Sequence, residues 1–397
     1  MSTRFTTRAA RVGSVCTALV LATTACGGGA DADAGATAAG GDAPSEYVVG
    51  LITEQTGPAA AVGAVFERAQ TLYFELNPEI DGVPVRLVTC DDASAPEQAA
   101  NCARQLNQEE KAHVILGPNI SGPHRGAFPL LAKGNAIALS GSPYAQTDPE
   151  TPVFSASNRS AAIPQESFQF AADQGWDKIG IIATTDVTGE AGVTESEAPA
   201  KEFGLELKVE RMDPTDTSAT AQLSSLRDWE PDAIAVWMSG ASVGVTFKAL
   251  AQLNMADVPV FLIWSSLTEG FMKAVAADLP ANTYVAAGAN ALAENRDDAE
   301  RAAEIDEFSD AYEAEYGNVP DFVSLAAFDS AKLAAETLAS SKGDKDAGIA
   351  YLEGLQEHDL LAWTVSYSDS DHTGGTGGDD SYRVYKVEPG GALSNAS

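Results

Sequence analysis

Tyr47-Val48-Val49-Gly50-Leu51-Ile52-Thr53 is an apolar run with no polar face, the pattern of a strand covered on both sides. The stretch after it carries Val62, Val65, Phe66, Ala69, Leu72, Tyr73 and Leu76 at helical spacing. The alternation continues. Val83 to Cys90, His113 to Gly117 and Ala136 to Ser140 read as strands, with helical stretches at Pro96 to Glu109 and Gly122 to Lys133. A second series has strands at Lys178 to Ala183, Leu205 to Glu210, Asp232 to Met238 and Pro259 to Ile263, again with helices between. Strands alternating with helices predict parallel sheets covered on both faces, and two such series predict an α/β protein of two doubly wound lobes. After Tyr284 the pattern changes to two consecutive long helices, Asp298 to Gly317 and Phe322 to Ser341, then strands at Ala362 to Ser368 and Tyr382 to Val387.

Upstream of Tyr47, the first residues specify a compartment rather than a fold. Arg4, Arg8 and Arg11 precede an apolar, small-residue stretch from Val12 to Ala25, the form of a secretory signal. That stretch is too short to span a bilayer, and no later window reaches the roughly 20 apolar residues a crossing needs. Thr24-Ala25-Cys26 followed by three glycines resembles the bacterial lipobox, with Thr23 where that motif has Leu or Val. The resemblance implies cleavage after Ala25 and a lipid on Cys26; the alternative is an ordinary signal with an incidental cysteine. Residues 26–46, rich in Gly, Ala and Asp, read as a flexible tether.

Losing three Arg and no acid with residues 1–25 moves the formal charge from −33 to −36. Such a field repels phosphate backbones and anionic lipid, which excludes nucleic acid as a partner. With 45% hydrophobic residues, the chain after the tether is long enough to bury two cores. Of its four cysteines, Cys16 leaves with the signal and Cys26 is the anchor candidate, leaving Cys90 and Cys102. In an exported protein these two are expected to be bridged. Metal ligation is the weaker alternative, because His113 is the sole nearby histidine and no CxxC spacing exists.

Val49-Gly50-Leu51-Ile52 running to Thr56-Gly57-Pro58, Asp91-Asp92, Gly117-Pro118-Asn119-Ile120-Ser121 and Ala326-Ala327-Phe328-Asp329 occur in this order over about residues 47 to 390. The ordered series resembles the leucine/isoleucine/valine-binding proteins of ABC importers, which have the type I periplasmic binding-protein fold. The resemblance implies two lobes joined by a hinge that the chain crosses three times, with the ligand cleft between them. Lobe 1 would comprise residues 47–162 and 288–370, and lobe 2 residues 163–287 and 371–397. It also implies ABC permease subunits as partners, a monomer, no cofactor and no enzymatic activity. The same binding module feeding a sensor is equally consistent.

In open α/β sheets, ligands sit beyond the carboxyl ends of strands, where helix N-termini present free N–H groups. Ser121-Gly122-Pro123 falls at such a point, with Pro123 suited to the first helical position. Ser121 either offers its hydroxyl to a ligand carboxylate or caps its own helix; the family's carboxylate-contacting serine falls here. By the same resemblance, Ser142 supplies a backbone acceptor and Tyr144 a hydroxyl, unless Tyr144 merely plugs its loop. The second lobe departs from the family. Thr188 stands where the family has a tyrosine, and Ser266 where it has the acid that pairs with an α-ammonium, while Trp264 is a candidate apolar wall. A cleft without an acid disfavours an α-amino group, so a small carboxylate, an amino acid or an amide all remain as ligands.

Two further motifs compete with that reading. Gly240-Ala241-Ser242-Val243-Gly244 follows a strand and precedes a helix, the context of a nucleophile elbow, with Ser242 as nucleophile and His358 or His372 as base in a serine hydrolase. Asp369-Ser370-Asp371-His372-Thr373-Gly374 with Asp380 has calcium-loop spacing, though Asp replaces the usual bidentate Glu; no metal is expected there and a solvated loop is the alternative.

Overall fold

A computed structural model describes residues 44–296, 298–375 and 382–396. Tyr47–Thr53 (β1) is buried at every position and forms the middle of the first sheet. Ala60–Leu76 (α1) returns across that sheet and leads to Glu79–Ile80 (β2), which hairpins onto Val83–Asp91 (β3). β3 pairs parallel with β1 on one side, while Val114–Leu116 (β4), Ile137–Ser140 (β5) and Val153–Ser155 (β6) extend the sheet in parallel on the other. The order is β2-β3-β1-β4-β5-β6. Pro96–Arg104 (α2) and Ser121–Leu131 (α3) supply the crossovers around β4. The helix expected to run to Glu109 keeps α-form only to Arg104 and widens to a π-turn over Gln105–Glu109.

The second sheet repeats the plan. Ala162–Asp173 (α4) precedes Lys178–Thr184 (β7), Val187–Phe203 (α5) and Glu206–Met212 (β8). Thr220–Trp229 (α6), Ala233–Trp237 (β9), Ala241–Gln252 (α7), Val260–Ile263 (β10), Glu269–Val275 (α8) and Thr283–Gly288 (β11) follow. The strands order as β8-β7-β9-β10-β11, all parallel. β1 lies between β3 and β4, and β7 between β8 and β9, so each sheet has a switch point, at β1/β4 and at β7/β9. These are the two doubly wound lobes that the alternation of strands and helices predicts.

The late chain serves both sheets. Ala299–Tyr316 (α9) is followed by Phe322–Ser341 (α10), which is buried nearly all round and packs along α1 and against β4 and β5. Lys345–Glu353 (α11) covers β5 and α10. The strand expected over Ala362 to Ser368 is much shorter: His358–Asp359 (β12) and Thr364–Val365 (β13) form a two-residue ribbon. The shortening has a cause in α10. The fully buried Asp329 carboxylate accepts the backbone N–H groups of Leu361 and Ala362 at 2.7 Å each and of Trp363 at 3.3 Å, so this backbone serves the carboxylate rather than a ladder. Tyr382–Val387 (β14) then pairs antiparallel with β11, and Leu393–Asn395 (β15) with β14.

Cys90 on β3 and Cys102 on α2 are bridged, with S–S 2.01 Å and Cα–Cα 5.6 Å. Segments that pass between the sheets are tied together. Ser155 N–H donates to the His372 carbonyl at 2.9 Å, Tyr367 Oη donates to the Ser155 carbonyl at 2.7 Å, and Arg159 Nε reaches the Gly375 carbonyl at 2.7 Å. No helix among the described residues is long and apolar enough to cross a membrane.

Candidate ligand-binding site

A cavity of about 240 Å³ lies where the carboxyl ends of β1, β4, β7 and β9 face one another across the two lobes. The chain segments leaving these four strands form its wall: Pro58-Ala59 at the start of α1, Ile120-Ser121 at α3, Asp186 and Thr188 at α5, and Gly240 to Ser242 at α7. Four helix N-termini therefore converge on one space. At α3 and α7 no side chain caps the first turn, which leaves backbone N–H groups there for another acceptor, whereas in α1 the N–H groups of Ala60 and Val62 already go to the Gly57 and Ala59 carbonyls at 3.2 and 2.9 Å. Among the described lining residues there is no Lys, Arg or His, and Asp186 is the single carboxylate.

The first-lobe wall is set by buried polar contacts. Ser121 is the first residue of α3 and is buried; the residue at the cap position is Ile120. Its hydroxyl therefore does not cap the helix but shares a 2.7 Å hydrogen bond with the Thr188 hydroxyl of the opposite lobe. Pro123 sits at the third helical position, not the first, where its missing N–H still costs nothing. Asn119, also on the wall, donates its N–H to Glu54 Oε1 at 3.3 Å and accepts from Gly141 N–H at 3.3 Å. Gly141 is required there, because a Cβ would come within 2.4 Å of the Phe66 ring. Glu54 itself is fully buried at the end of β1, and burial together with the neighbouring Asp92 pushes it up to about 8.

Ser142, Tyr144, Thr188 and Trp264 all line the cavity, as Ser121 does. The Ser142 carbonyl, expected as a ligand acceptor, already receives Ser155 Oγ at 3.3 Å and Ala145 N–H at 3.2 Å. Tyr144 is buried, and its phenol is raised by that burial and by the fields of Glu195 and Asp186. Trp264 donates Nε1–H to Asn158 Oδ1 at 2.9 Å and packs against Phe322 and Trp363, which fixes its indole; Phe66 also lines the cavity. Ser266 is buried but is not among the lining residues; its neighbour Ser265 takes that place.

One expectation is corrected. The cleft does hold an acid: Asp186, whose Oδ1 caps α5 by accepting from Gly189 N–H at 3.0 Å and from Thr184 Oγ1 at 2.8 Å. An Asp three residues before a Gly at the end of a strand was the signal that locates it. Gly189 admits no side chain, since a Cβ would meet the Thr184 carbonyl at 1.9 Å. Asn119 and Ser94 are further wall residues that no motif singled out as a contact.

The rival motifs do not assemble. Ser242 lies on the wall with its hydroxyl donating to the Pro214 carbonyl at 3.1 Å, and no histidine stands among the lining residues. His358 Nε2 is held by Glu336 at 2.7 Å, and His372 stacks on Phe154 with Nε2 3.3 Å from Glu353. The calcium-type loop from Asp369 to Asp380 lies partly outside the described residues. Within them, the Asp371 carboxylate is taken by Arg159 and Thr373, and no cluster of three or more metal-ligating side chains occurs.

Two doubly wound lobes with a cavity at their facing switch points define a two-lobed ligand receptor. The family model for periplasmic binding protein matches residues 46–392, and the chain belongs to that family. No curated protein matches it. Among solved structures it is similar to an extracellular ligand-binding receptor from Rhodopseudomonas palustris HaA2, at 23% identity over 88% of this chain and 99% of that one, with a TM-score of 0.77. It is also similar to the leucine-binding protein of Thermotoga maritima MSB8, at 15% identity over 88% and 98%, TM-score 0.76. A third is a solute-binding protein of an ABC transporter from R. palustris, in complex with benzoate, at 20% identity over 88% and 95%, TM-score 0.72. At these identities the shared property is the fold.

Proposed function

We propose that this chain is an extracytoplasmic receptor, anchored by a lipid on Cys26, that holds a small organic carboxylate between its lobes and delivers it to the permease subunits of an ABC importer. The observation that carries the ligand class is the convergence of helix N-termini, those of α3 and α7 without a side-chain cap, on a cavity wall without a cationic side chain among the described residues. An anion there is met by backbone N–H groups and the positive ends of helix dipoles, as phosphates and carboxylates are at other helix starts. The Ser121 and Thr188 hydroxyls add donors from opposite lobes. Phe66, Tyr144 and Trp264 suit an apolar body, and a cavity of about 240 Å³ is below the roughly 300–1,000 Å³ of sites for drug-sized molecules. The benzoate held by the R. palustris relative is a ligand of this kind. Asp186 supports a second reading, an α-amino acid whose ammonium faces that carboxylate.

A thermal-shift screen of aromatic acids, short aliphatic acids, amino acids and neutral amides tests this. A ligand at a hundred times its dissociation constant stabilises by roughly 2.7 kcal/mol. Simple carboxylates are expected to raise the melting temperature and their amides not to. A shift with amino acids alone selects the second reading, and a shift with amides but no acid overturns both. The intact mass of membrane-fraction protein is expected to carry a diacylglyceryl group on Cys26; a cleaved but unlipidated terminus overturns the anchor.

A further inference from the structure

Tyr144 lines two cavities. One is the candidate ligand site; the other, of about 460 Å³, is lined by Thr147, Arg159, Ser160, Ala191 and Glu195 as well as Tyr144. Thr188, Ala191 and Glu195 fall on one face of α5, at steps of three and four residues. That face therefore runs from the first cavity into the second, and Glu195 stands two turns, about 10 Å, beyond Thr188.

Among its described lining residues, the second cavity has an acceptor to spare and no free cation. Glu195 Oε1 accepts the Ser160 hydroxyl at 2.5 Å, but the buried Oε2 has no hydrogen-bond partner. Thr147 Oγ1 is likewise buried and unpartnered. Arg159, the one guanidinium among the described lining residues, is committed to Asp371 at 2.5 Å and to the carbonyls of Gly374 and Gly375 at 3.2 and 2.7 Å. Burial raises the Glu195 carboxyl, as an acid lacking a full set of donors should be.

We infer that the space behind Tyr144 is a second compartment of the ligand site, which takes the amine-bearing tail of a linear ω-amino carboxylate and pairs it with Glu195. This rests on the carboxylate reading above, which places the acid end at the helix N-termini beside Ser121 and Thr188. The ammonium then supplies the donors that Glu195 Oε2 and Thr147 Oγ1 lack, and the Tyr144 ring turns aside to join the two spaces. Glu195 is thereby a residue that selects among carboxylates by what they carry at the far end.

Calorimetric titration of the full chain with hexanoate and 6-aminohexanoate tests this, with propanoate and 3-aminopropanoate as a pair too short to reach Glu195. The amine is expected to tighten binding at least tenfold in the six-carbon pair and not in the three-carbon pair. Glu195→Gln keeps the side-chain shape and an acceptor for Ser160. It is expected to abolish the tenfold gain while leaving hexanoate affinity within twofold, and that retained affinity also reports an intact fold. If hexanoate binds but the amine brings no gain, or the gain survives Glu195→Gln, the second compartment is wrong and the carboxylate reading stands. If none of the four acids binds, the carboxylate reading fails and this inference with it.

Discussion

Ser121 and Thr188 meet hydroxyl to hydroxyl at 2.7 Å, and the two residues belong to different lobes. Each stands at the start of a helix, α3 or α5, that leaves the carboxyl end of a strand at its sheet's switch point. The contact exists only when the lobes are together, so it links cleft geometry to the closed arrangement. Any ligand that accepts from both hydroxyls favours that arrangement by its differential affinity for it.

Removing either hydroxyl therefore affects binding more than folding. A hydrogen bond to a charged group contributes about 1.5–3 kcal/mol, equivalent to a loss of roughly ten- to hundredfold in affinity. Ser121→Ala and Thr188→Val are each expected to weaken carboxylate binding in that range, with the melting temperature of the unliganded protein nearly unchanged. Calorimetry on the best acid from the thermal screen checks this. Unaltered affinity in both variants would remove the hydroxyl pair from the site.

Trp264 offers an optical test of the same wall. Its indole is 1% exposed, fixed by Asn158 and packed against Trp363 at 5.4 Å between ring centroids. A ligand contacting that ring changes its environment directly. Ligand addition is expected to shift tryptophan emission in the wild type, and Trp264→Phe to abolish most of that shift while the ligand still raises the melting temperature. An emission change that persists in Trp264→Phe would place the ligand elsewhere.

The Cys90–Cys102 bridge joins residues twelve apart and fastens α2 to the end of β3. Closing a loop of this size stabilises by about 3 kcal/mol in the chain-entropy model. Replacing both cysteines by serine is expected to lower the urea midpoint correspondingly, with ligand affinity within a few fold. Equal midpoints with and without the bridge would show that the unfolded chain gains nothing from its release.

The architecture was legible because buried parallel strands such as β1 carry no polar face, and helices such as α1 show their spacing openly. The short strands were not. β6 has three residues and β15 three, and nothing in Val153-Phe154-Ser155 separates it from a loop. The segment after Asp329 misled for a physical reason: a carboxylate thirty residues upstream organises that backbone, a contact no local pattern records. At the site, Ser121 could be found because the end of a strand and the start of a helix bracket it. Ser266 was chosen because it aligns with the family's acid, whereas the carboxylate that lines the cavity is Asp186, after a different strand of the same lobe. Thr147 lies three residues past Tyr144 and Glu195 seven past Thr188, and no local pattern records that the two line one cavity, which they do only because α5 and the first lobe are brought together.

Glu54 stands behind the candidate carboxylate site, bonded to the wall residue Asn119. Its Oε2 has no hydrogen-bond partner in the described structure, and its Oε1 accepts a long N–H bond from Asn119 at 3.3 Å. Burial comes first and the Asp92 carboxyl second in pushing its titration to about 8, and Asp92 is raised as well, first by its own burial. In the unfolded chain both acids titrate near 4. The folded protein therefore retains protons that the unfolded chain has released. By linkage, the stability from these protons is fully present below about pH 4 and is lost as pH rises through about 8. Glu54→Gln keeps the acceptor for Asn119 and cannot ionise. Melting temperatures measured from about pH 5 to pH 9 are expected to fall with rising pH in the wild type, and to fall less steeply in Glu54→Gln, so that the variant gains on the wild type toward the alkaline end. Parallel curves would mean that Glu54 ionises in the folded state as readily as in the unfolded chain.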